Sequence, residues 1–305
     1  MKWILKAIVQ KVISYFPNSQ KVNFLFQKYI TKGVQLSDQY FSDKYNSAID
    51  HLYYFKKHGK TDSFRVLELG SGWYPVVPIA LFLAGSKSIV SFDISPLMNK
   101  EGILKTIQKF LDWEKKGMLN ELKPYAKQER FIALEKLNDD SLTFEELLSG
   151  IALQLKVKDA RDTGEKADSF DLICSNNTFE HIYPIILKPI IAEFQKLLIP
   201  GGVMSHFIDM SDHFAHLDKS ISIYNFLKFS KTSWAIIDNS VQPQNRWRFK
   251  DYLDLYNKLE IPILDQKVRP GDLDVVKKMN LHSDFKNYSP AEVAISHGYI
   301  VSGKA

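Results

Sequence analysis

The sequence predicts an α/β fold in which helices cover both faces of an open, doubly wound sheet of mostly parallel strands. A short apolar run at residues 66–69 is followed by a glycine-containing turn, a helical stretch and a second apolar run that ends in Asp93. This order is typical of a strand, turn, helix and strand unit. A further run, S-F-D-L-I-C-S at residues 169–175, is almost continuously apolar, as expected for a parallel strand buried on both faces.

The turn after the first strand contains Gly70 and Gly72, which allow backbone conformations closed to other residues and the close approach of a ligand. The following helix offers free backbone N–H groups at its start, so a nucleotide-like ligand fits there. A dinucleotide fold has a third glycine where this chain has Pro75, so pyrophosphate binding is less favoured. Asp93 stands at the end of the next strand, where a carboxylate can accept both hydroxyls of a ribose.

The other elements follow in chain order. A helix is predicted at residues 76–84, and a second begins at Ser95 and Pro96, where a capping residue precedes a proline, and runs to about residue 113. The polar helical stretch at 114–150 is interpreted as an insertion beside the sheet. Further strands are predicted at 151–157, 203–208, 261–268 and 297–303, with helices at 184–198 and 250–259 and an enlarged hairpin connection at 270–292.

The pattern Glu68-x-Gly70-x-Gly72, with Asp93 after it, resembles the first motif of the class I S-adenosylmethionine-dependent methyltransferases, although Tyr74 replaces its third glycine. The string S-F-D-L-I-C-S-N-N-T-F-E-H-I and the P-G-G turn at 200–202 resemble members that act on small molecules. The resemblance implies a Rossmann-like, seven-stranded sheet with an antiparallel last strand, and S-adenosylmethionine as the cofactor. Amino-directed nucleic-acid methylases carry N-P-P-Y where this chain has N-N-T-F, which argues against base methylation.

The same resemblance implies roles for individual residues of the donor site. The assignments are Glu68, Gly70 and Gly72 to the methionine end of the cofactor, Asp93 to the ribose, Asp159 with the backbone N–H of Ala160 to the adenine, and Asn176 to the lining of the donor pocket. Asp162 fits the adenine position nearly as well as Asp159.

A cluster of acids and histidines, D-M-S-D-H-F-A-H-L-D, occupies residues 209–218 after the fifth strand. Residues just after the fourth and fifth strands of an open α/β sheet face its ligand site, so His181 and His213 are candidate catalytic bases. A histidine suits removal of the proton from a hydroxyl acceptor, helped by a carboxylate that fixes its tautomer. His213 is the preferred base, with Asp209 or Asp212 to orient it, and His181 is the second candidate.

Two other features of this region have alternative interpretations. His213, His216, Asp209, Asp212 and Asp218 are metal-ligand types, but their spacing matches no closed zinc pattern, so no metal site is predicted. Arg246 and Arg248 flank Trp247; they either bind a phosphate, a carboxylate or a sugar face, or are solvated charges beside a core tryptophan.

Residues 1–60 are predicted to form a helical cap on a methyltransferase domain at 61–305, which has insertions at about 114–150, 211–247 and 270–292. The aromatic residues of the cap are either core contacts or an apolar lid above the cofactor. Residues 1–16 form an amphipathic helix, which either packs against the domain or lies on an anionic membrane surface.

The composition restricts partners and compartment. The net charge is +5 without a block of one sign, so neither DNA nor RNA is an expected partner. Cys174 is the single cysteine and cannot form an internal disulfide, which favours a reducing, cytoplasmic compartment. No apolar run reaches the length of about 20 residues that a membrane span needs.

These observations predict transfer of a methyl group from S-adenosylmethionine to a small molecule, with O-methylation of a sugar or natural-product intermediate preferred. The series D-H-F-A-H-L-D, Y-N-F-L and N-R-W-R resembles a methyltransferase subgroup associated with glycan or natural-product pathways. The alternatives are a regulatory protein that binds S-adenosylmethionine without catalysis, and an RNA or protein methyltransferase.

Overall fold

A computed structural model describes residues 2–17, 19, 22, 35–61 and 63–305. Much of the predicted N-terminal cap, at residues 23–34, lies outside the described residues.

Seven strands form a single sheet, and helices lie on both of its faces. The strands are β1 (Arg65–Leu69), β2 (Ser88–Asp93), β3 (Leu153–Val157), β4 (Phe170–Asn176), β5 (Leu198–Asp209), β6 (Ile263–Arg269) and β7 (His297–Gly303). The described helices are α1 (Lys2–Ile13), α2 (Asp38–His58), α3 (Val76–Leu83), α4 (Lys100–Lys115), α5 (Gln128–Lys136), α6 (Phe144–Gly150), α7 (Pro184–Leu197), α8 (Phe214–Leu217), α9 (Lys231–Ile237), α10 (Phe249–Lys258), α11 (Leu273–Lys278) and α12 (Pro290–Ala294). Short 3-10 turns occupy Phe179–His181, Asn225–Lys228 and Ser283–Phe285.

The strand order is β3-β2-β1-β4-β5-β7-β6, and β7 runs antiparallel to both of its neighbours. The other pairings are parallel, which confirms the predicted doubly wound sheet with an antiparallel last strand. The order in which strands are added to the sheet changes direction between β1 and β4, with β2 and β3 on one side and β5 on the other. β1 and β4 themselves are parallel, and Leu69 pairs with Ser175. Their carboxyl ends therefore open side by side at the switch point, where open α/β sheets bind ligands.

The central strands are apolar on both faces because each face is covered by helices. Val66, Leu172 and Cys174 belong to one hydrophobic cluster, which α2, α3 and α4 complete. Leu67 and Ile173 point to the opposite face and join a second cluster with α7 and α10. Full burial of an aliphatic side chain contributes about 1.5–3 kcal/mol, so these runs account for the position of the strands in the middle of the sheet.

The helix predicted to begin at Ser95 and Pro96 begins at Lys100 instead, so this prediction is wrong. Asn99 is its cap, and its side chain accepts a hydrogen bond from the Gly102 N–H. The Ser95 N–H donates to Asp93 Oδ1 at 3.0 Å, which holds this segment in a turn. Aspartate commonly bonds the backbone two residues on, and this local turn competes with helix initiation.

Helix α2 belongs to the layer of helices that covers one face of the sheet. It contacts α3 and β5, and Phe41 and Tyr45 pack edge-on against Trp113 of α4 at ring distances of 4.6 and 5.9 Å. Ser37 caps this helix by accepting from the Tyr40 N–H. The division into a cap and a methyltransferase domain at residue 60 stays a prediction, and α2 shares the core of the sheet.

Helix α1 packs on the segment that follows β5, through Ala7, which joins Phe214 and Trp234 in a third hydrophobic cluster. Its start is tied down by the Trp3 N–H, which donates to Asp218 Oδ2 at 3.1 Å, and its end by Lys11, which donates to the carbonyl of Asp238. The predicted packing of this helix is therefore observed. Within the described ranges, no helix is long and apolar enough to cross a bilayer.

The side chains of Arg246 and Arg248 both donate hydrogen bonds to backbone carbonyl groups. This structural role replaces the two interpretations that the sequence allowed, ligand binding and solvated charge. The Arg248 side chain is completely buried and donates to the carbonyls of Met210, Val293 and Ile295. One guanidinium thus joins the end of β5 to the residues before β7. Burial lowers the pKa of Arg248 to about 10, so the side chain stays charged at neutral pH.

We predict that Arg248→Lys lowers the free energy of unfolding by about 3 kcal/mol, because a lysine cannot reach three carbonyls in this planar geometry and leaves buried acceptors unpaired. Urea denaturation measures the effect. Arg161→Lys is the control; the Arg161 side chain is half exposed and pairs with Asp159 at the surface, so this variant should unfold close to the wild type. Equal losses in the two variants would contradict this role of Arg248.

Candidate active site

The turn after β1 contains Gly70 and Gly72, and the absence of a side chain has a different consequence at each position. Gly70 has φ +91°, and a β-carbon there would collide with Oγ1 of Thr178. Gly72 has φ +58°, and a β-carbon there would meet no atom within 4 Å. Gly70 therefore permits close packing between two loops, whereas Gly72 leaves open space beside its backbone, which suits the approach of a ligand.

Asp93 stands at the carboxyl end of β2 beside this turn. Its carboxylate accepts from the Ser95 N–H at 3.0 Å and from Oγ of Ser71 at 3.2 Å. Burial raises the pKa of Asp93, and these hydrogen bonds, with one from Gly72, oppose the rise. The carboxylate is thus held in place by its own loop.

Glu68 lies on β1 and is almost completely buried, with only 4% of its surface exposed. Its Oε2 accepts from Oγ of Ser91 at 2.6 Å. Burial raises the pKa of Glu68 to about 8, and the Ser91 hydroxyl and the Lys44 ammonium oppose the rise. Glu68 is therefore largely protonated at neutral pH in this state.

The residues assigned to adenine follow β3. The side chain of Asp159 is half exposed and pairs with Arg161, which holds the pKa of Asp159 below its usual range. Ala160 is buried in the second hydrophobic cluster. The roles of Asp159, Ala160 and the alternative Asp162 in binding adenine stay predictions.

The end of β4 presents buried polar atoms that have no hydrogen-bond partner of standard geometry among the described residues. They include Oδ1 and Nδ2 of Asn176, Oδ1 of Asn177 and both carboxylate oxygens of Glu180. Asn177 has φ +49°, which asparagine tolerates better than most residues. Unpaired buried polar groups are costly, so their concentration at the switch point indicates a ligand site.

His181 and His213 come together as the sequence predicts, with ring centroids 4.9 Å apart. Nδ1 of His181 lies 2.7 Å from the carbonyl oxygen of Pro243, so Nδ1 carries the proton and Nε2 is left as an acceptor. Burial, with a contribution from His213, lowers the pKa of His181 to about 4. His181 is therefore neutral at physiological pH and a weak base.

Asp209, rather than Asp212, is the carboxylate that pairs with His213. Nε2 of His213 lies 3.3 Å from Asp209 Oδ2, and Nε2 of His297 lies 3.3 Å from Asp209 Oδ1. Burial alone would raise the pKa of Asp209, but these two imidazoles hold it well below its usual range. Asp209 is therefore ionised and shared between two histidines.

Asp212 has a different structural role from the one assigned to it as a catalytic residue. Its carboxylate accepts from the Phe214 N–H at 2.8 Å and from Nδ2 of Asn225 at 3.4 Å. Burial raises the pKa of Asp212 to about 6. Sequence spacing could not separate Asp209 from Asp212, because the direction of each side chain depends on how the chain turns after β5.

The possible metal-binding set also differs from the one considered in the sequence. Glu180, His181 and His213 each offer a ligand atom, and these atoms lie within 4.8 Å of one another. Asp218 instead accepts from Trp3 and Ser220, outside this group. The sequence analysis did not identify Glu180 as a possible metal ligand, because its carboxylate approaches the two histidines only when the loops after β4 and β5 meet.

A comparison with protein families matches residues 126–205 to the methyltransferase domain. This segment runs from before α5 into β5 and contains β4 with the loop of His181. The chain carries a methyltransferase domain.

Solved structures of similar architecture include a S-adenosylmethionine-dependent methyltransferase from Methanosarcina mazei, 15% identical, with 82% of this chain and 96% of that chain covered and a TM-score of 0.45. Another is geranyl diphosphate C-methyltransferase from Streptomyces coelicolor, 10% identical, with 85% and 80% covered and a TM-score of 0.46. Among curated proteins, none matches this sequence.

The predicted methyltransferase domain is thus confirmed, together with the class I sheet order. Methyltransferases of this class use S-adenosylmethionine, which is the cofactor predicted from the sequence. The acceptor and the roles of the individual site residues stay open to proposal.

By itself, Glu68 should lower the stability of the methyltransferase domain as the pH rises from about 5 to about 8, because it binds its proton more tightly in the folded state, with a pKa of about 8 against 4.5. Glu68→Gln should remove this part of the loss, about 2–4 kcal/mol over the range. Urea denaturation at several pH values measures it. Glu129→Gln, at an exposed position of α5, is the control and should keep the wild-type slope. A Glu68→Gln curve parallel to that of the wild type would contradict the assignment.

Proposed function

We propose that this protein transfers a methyl group from S-adenosylmethionine to a hydroxyl of a small-molecule acceptor, such as a sugar or a natural-product intermediate. The observation that carries the proposal is the His213–Asp209 pair, which lies at the carboxyl end of β5 beside the unpaired polar atoms at the end of β4. A carboxylate-oriented histidine at the switch point suits the removal of a hydroxyl proton.

The residues of the donor side fit the cofactor. Gly72 leaves space beside its backbone, Asp93 presents a fixed carboxylate, and the side-chain amide of Asn176 makes no hydrogen bond of standard geometry with the described residues. When bound, S-adenosylmethionine supplies a methyl group on a sulfonium, which leaves as a neutral thioether. We assign the ribose to Asp93 and the methionine end to the turn from Glu68 to Gly72.

His213 is the proposed base. Nε2 of His213 lies 3.3 Å from Asp209 as an ion-pair contact without straight hydrogen-bond geometry. We assign the ring proton to Nε2, beside the carboxylate, so that Nδ1 is the atom that takes the proton of an acceptor hydroxyl. The negative charge of Asp209 then stabilises the imidazolium. His181, whose pKa burial lowers to about 4, is less suited to this task and is assigned to positioning the acceptor.

A cavity of about 10 Å³ lies beside His213; it holds no more than a water molecule, so it belongs to the packing behind His213 and is not the acceptor pocket. Gln10, Asn239, Gln242 and Gln244 line this cavity, and α1 forms one of its walls. The amides of this lining pair within the chain itself: Gln10 donates to Gln242, and Gln244 donates to the carbonyl of Ser211. A small acceptor is preferred to a nucleic acid, since the net charge is only +5 and the chain has no block of one sign.

The donor assignment predicts that Asp93→Ala weakens S-adenosylmethionine binding about tenfold or more, because a carboxylate that accepts two ribose hydroxyls contributes about 1.5–3 kcal/mol. Isothermal titration calorimetry measures the affinity, with NAD titrated in parallel as a ligand that should not bind. Asp274→Ala on α11 is the control and should bind as the wild type does. Unchanged affinity in Asp93→Ala would show that the ribose lies elsewhere.

The acceptor assignment predicts that His213→Ala lowers turnover about 10²- to 10⁴-fold while S-adenosylmethionine still binds. The measurement is release of S-adenosylhomocysteine with a library of sugars and hydroxylated natural products, followed by a pH profile on the best acceptor. His216→Ala, which removes a ring stacked 5.3 Å from His213, is the matched control and should keep most activity. Full turnover in His213→Ala at every pH would exclude it as the base. Cofactor binding with no acceptor turned over would favour a regulatory protein.

A further inference from the structure

Helix α1 has a second apolar face, which packs on no other part of the described chain. Ala7, Gln10 and Ile13 are buried against the methyltransferase domain, whereas Leu5, Ile8 and Val12 are 64, 55 and 51% exposed. The exposed residues follow one another at spacings of three and four, so they form one stripe along the helix. Ile4 extends the stripe, and Tyr15 and Phe16 continue it beyond the helix end, all of them exposed.

The apolar surface extends to neighbouring elements. Lys11 donates to the carbonyls of Ala235 and Asp238, which places the end of α9 beside the stripe. Ile236 of α9 is 71% exposed. Tyr183, whose hydroxyl donates to Asp238 Oδ2 at 2.6 Å, brings the start of α7 to the same place, where Ile185 is 85% exposed. We call the exposed residues of α1 with Ile185 and Ile236 the apolar face.

The charges around the apolar face are basic. Residues 2–17 contain three lysines and no acid. Lys2, at the start of α1, and Lys188 and Lys231, close to Ile185 and Ile236 in the chain, are exposed. Soluble monomers rarely expose this many large apolar side chains together, and lysines beside such a surface attract anionic phospholipid headgroups.

We propose that the apolar face docks this protein on the surface of an anionic phospholipid bilayer. The stripe of α1 would lie at the boundary between headgroups and acyl chains, with Lys2, Lys188 and Lys231 towards the phosphates. The inner face of α1 keeps its contacts with the domain, so docking requires no unfolding. This inference does not depend on the methyl-transfer proposal.

Docking would place the cavity beside His213 next to the bilayer. Helix α1 contributes Lys6 and Gln10 to the wall of that cavity, and Trp234 of α9 lines it too. The helices that carry the apolar face therefore also pack against the segment that holds His213.

Co-sedimentation of the full chain with vesicles tests the inference. The vesicles contain phosphatidylcholine alone or with about 30% phosphatidylserine. The wild type should sediment with the anionic vesicles, remain mostly in solution with phosphatidylcholine alone, and be released at about 0.5 M salt. The double variant Leu5→Glu/Ile8→Glu should bind about tenfold less or weaker still, since two inserted apolar side chains become charged.

Ile132→Glu is the matched control, because Ile132 on α5 is 50% exposed but lies outside the apolar face. It should sediment as the wild type does. Both variants should show the circular dichroism melting curve of the wild type, because the changed side chains are exposed. A wild type that stays in solution with anionic vesicles, or a double variant that binds fully, would overturn the proposal. So would a dimer in size-exclusion chromatography with light scattering that the double variant dissociates, since the face would then join two copies.

Discussion

The contact between the turn after β1 and the turn after β4 is the constraint on which the site depends. Thr178 donates from Oγ1 to the carbonyl of Leu69 at 3.1 Å, and this approach is possible because Gly70 has no β-carbon. The contact fixes the glycine turn of the donor side against the loop that carries Glu180 and His181. Parallel pairing of β1 with β4 brings the two loops to one edge of the sheet, and the glycine then lets them close on each other.

The second feature of the site is a set of ionisable groups with little access to water. Burial lowers the pKa of Lys44 and raises the pKa of Glu180, and the two groups partly compensate each other electrostatically. Asp209 keeps its charge because two histidines face it. Such an arrangement is costly for stability, and strongly shifted groups concentrated in one cleft are typical of functional sites. A bound cofactor and acceptor would satisfy part of the unpaired polar surface.

The segments added to the methyltransferase sheet support the loop that carries His213. Arg248 ties the end of β5 to the residues before β7, and the segment between β5 and α10 packs under α1. The wall of the cavity beside His213 thus depends on a helix far away in the sequence. The same helix turns an apolar stripe outwards, so its two faces serve different contacts.

The sequence by itself determined the fold class, the seven-stranded sheet with an antiparallel last strand and the methyltransferase domain. Apolar runs such as 169–175 and glycines at the turn of 70–72 are local signals, because strand burial and positive φ each depend on one short segment. The sequence also predicted that His181 and His213 lie at the same edge of the sheet, since both follow strands whose carboxyl ends must meet.

Only the tertiary structure decided which side chains face each other at that edge. It selected Asp209 over Asp212 as the partner of His213, added Glu180 and His297, and turned Arg246 and Arg248 from candidate ligand-binding residues into supports for backbone carbonyls. It also gave α1 a buried and an exposed apolar face. The physical reason is that these outcomes depend on loops from distant parts of the chain, whose directions are set by packing and not by local residue preference.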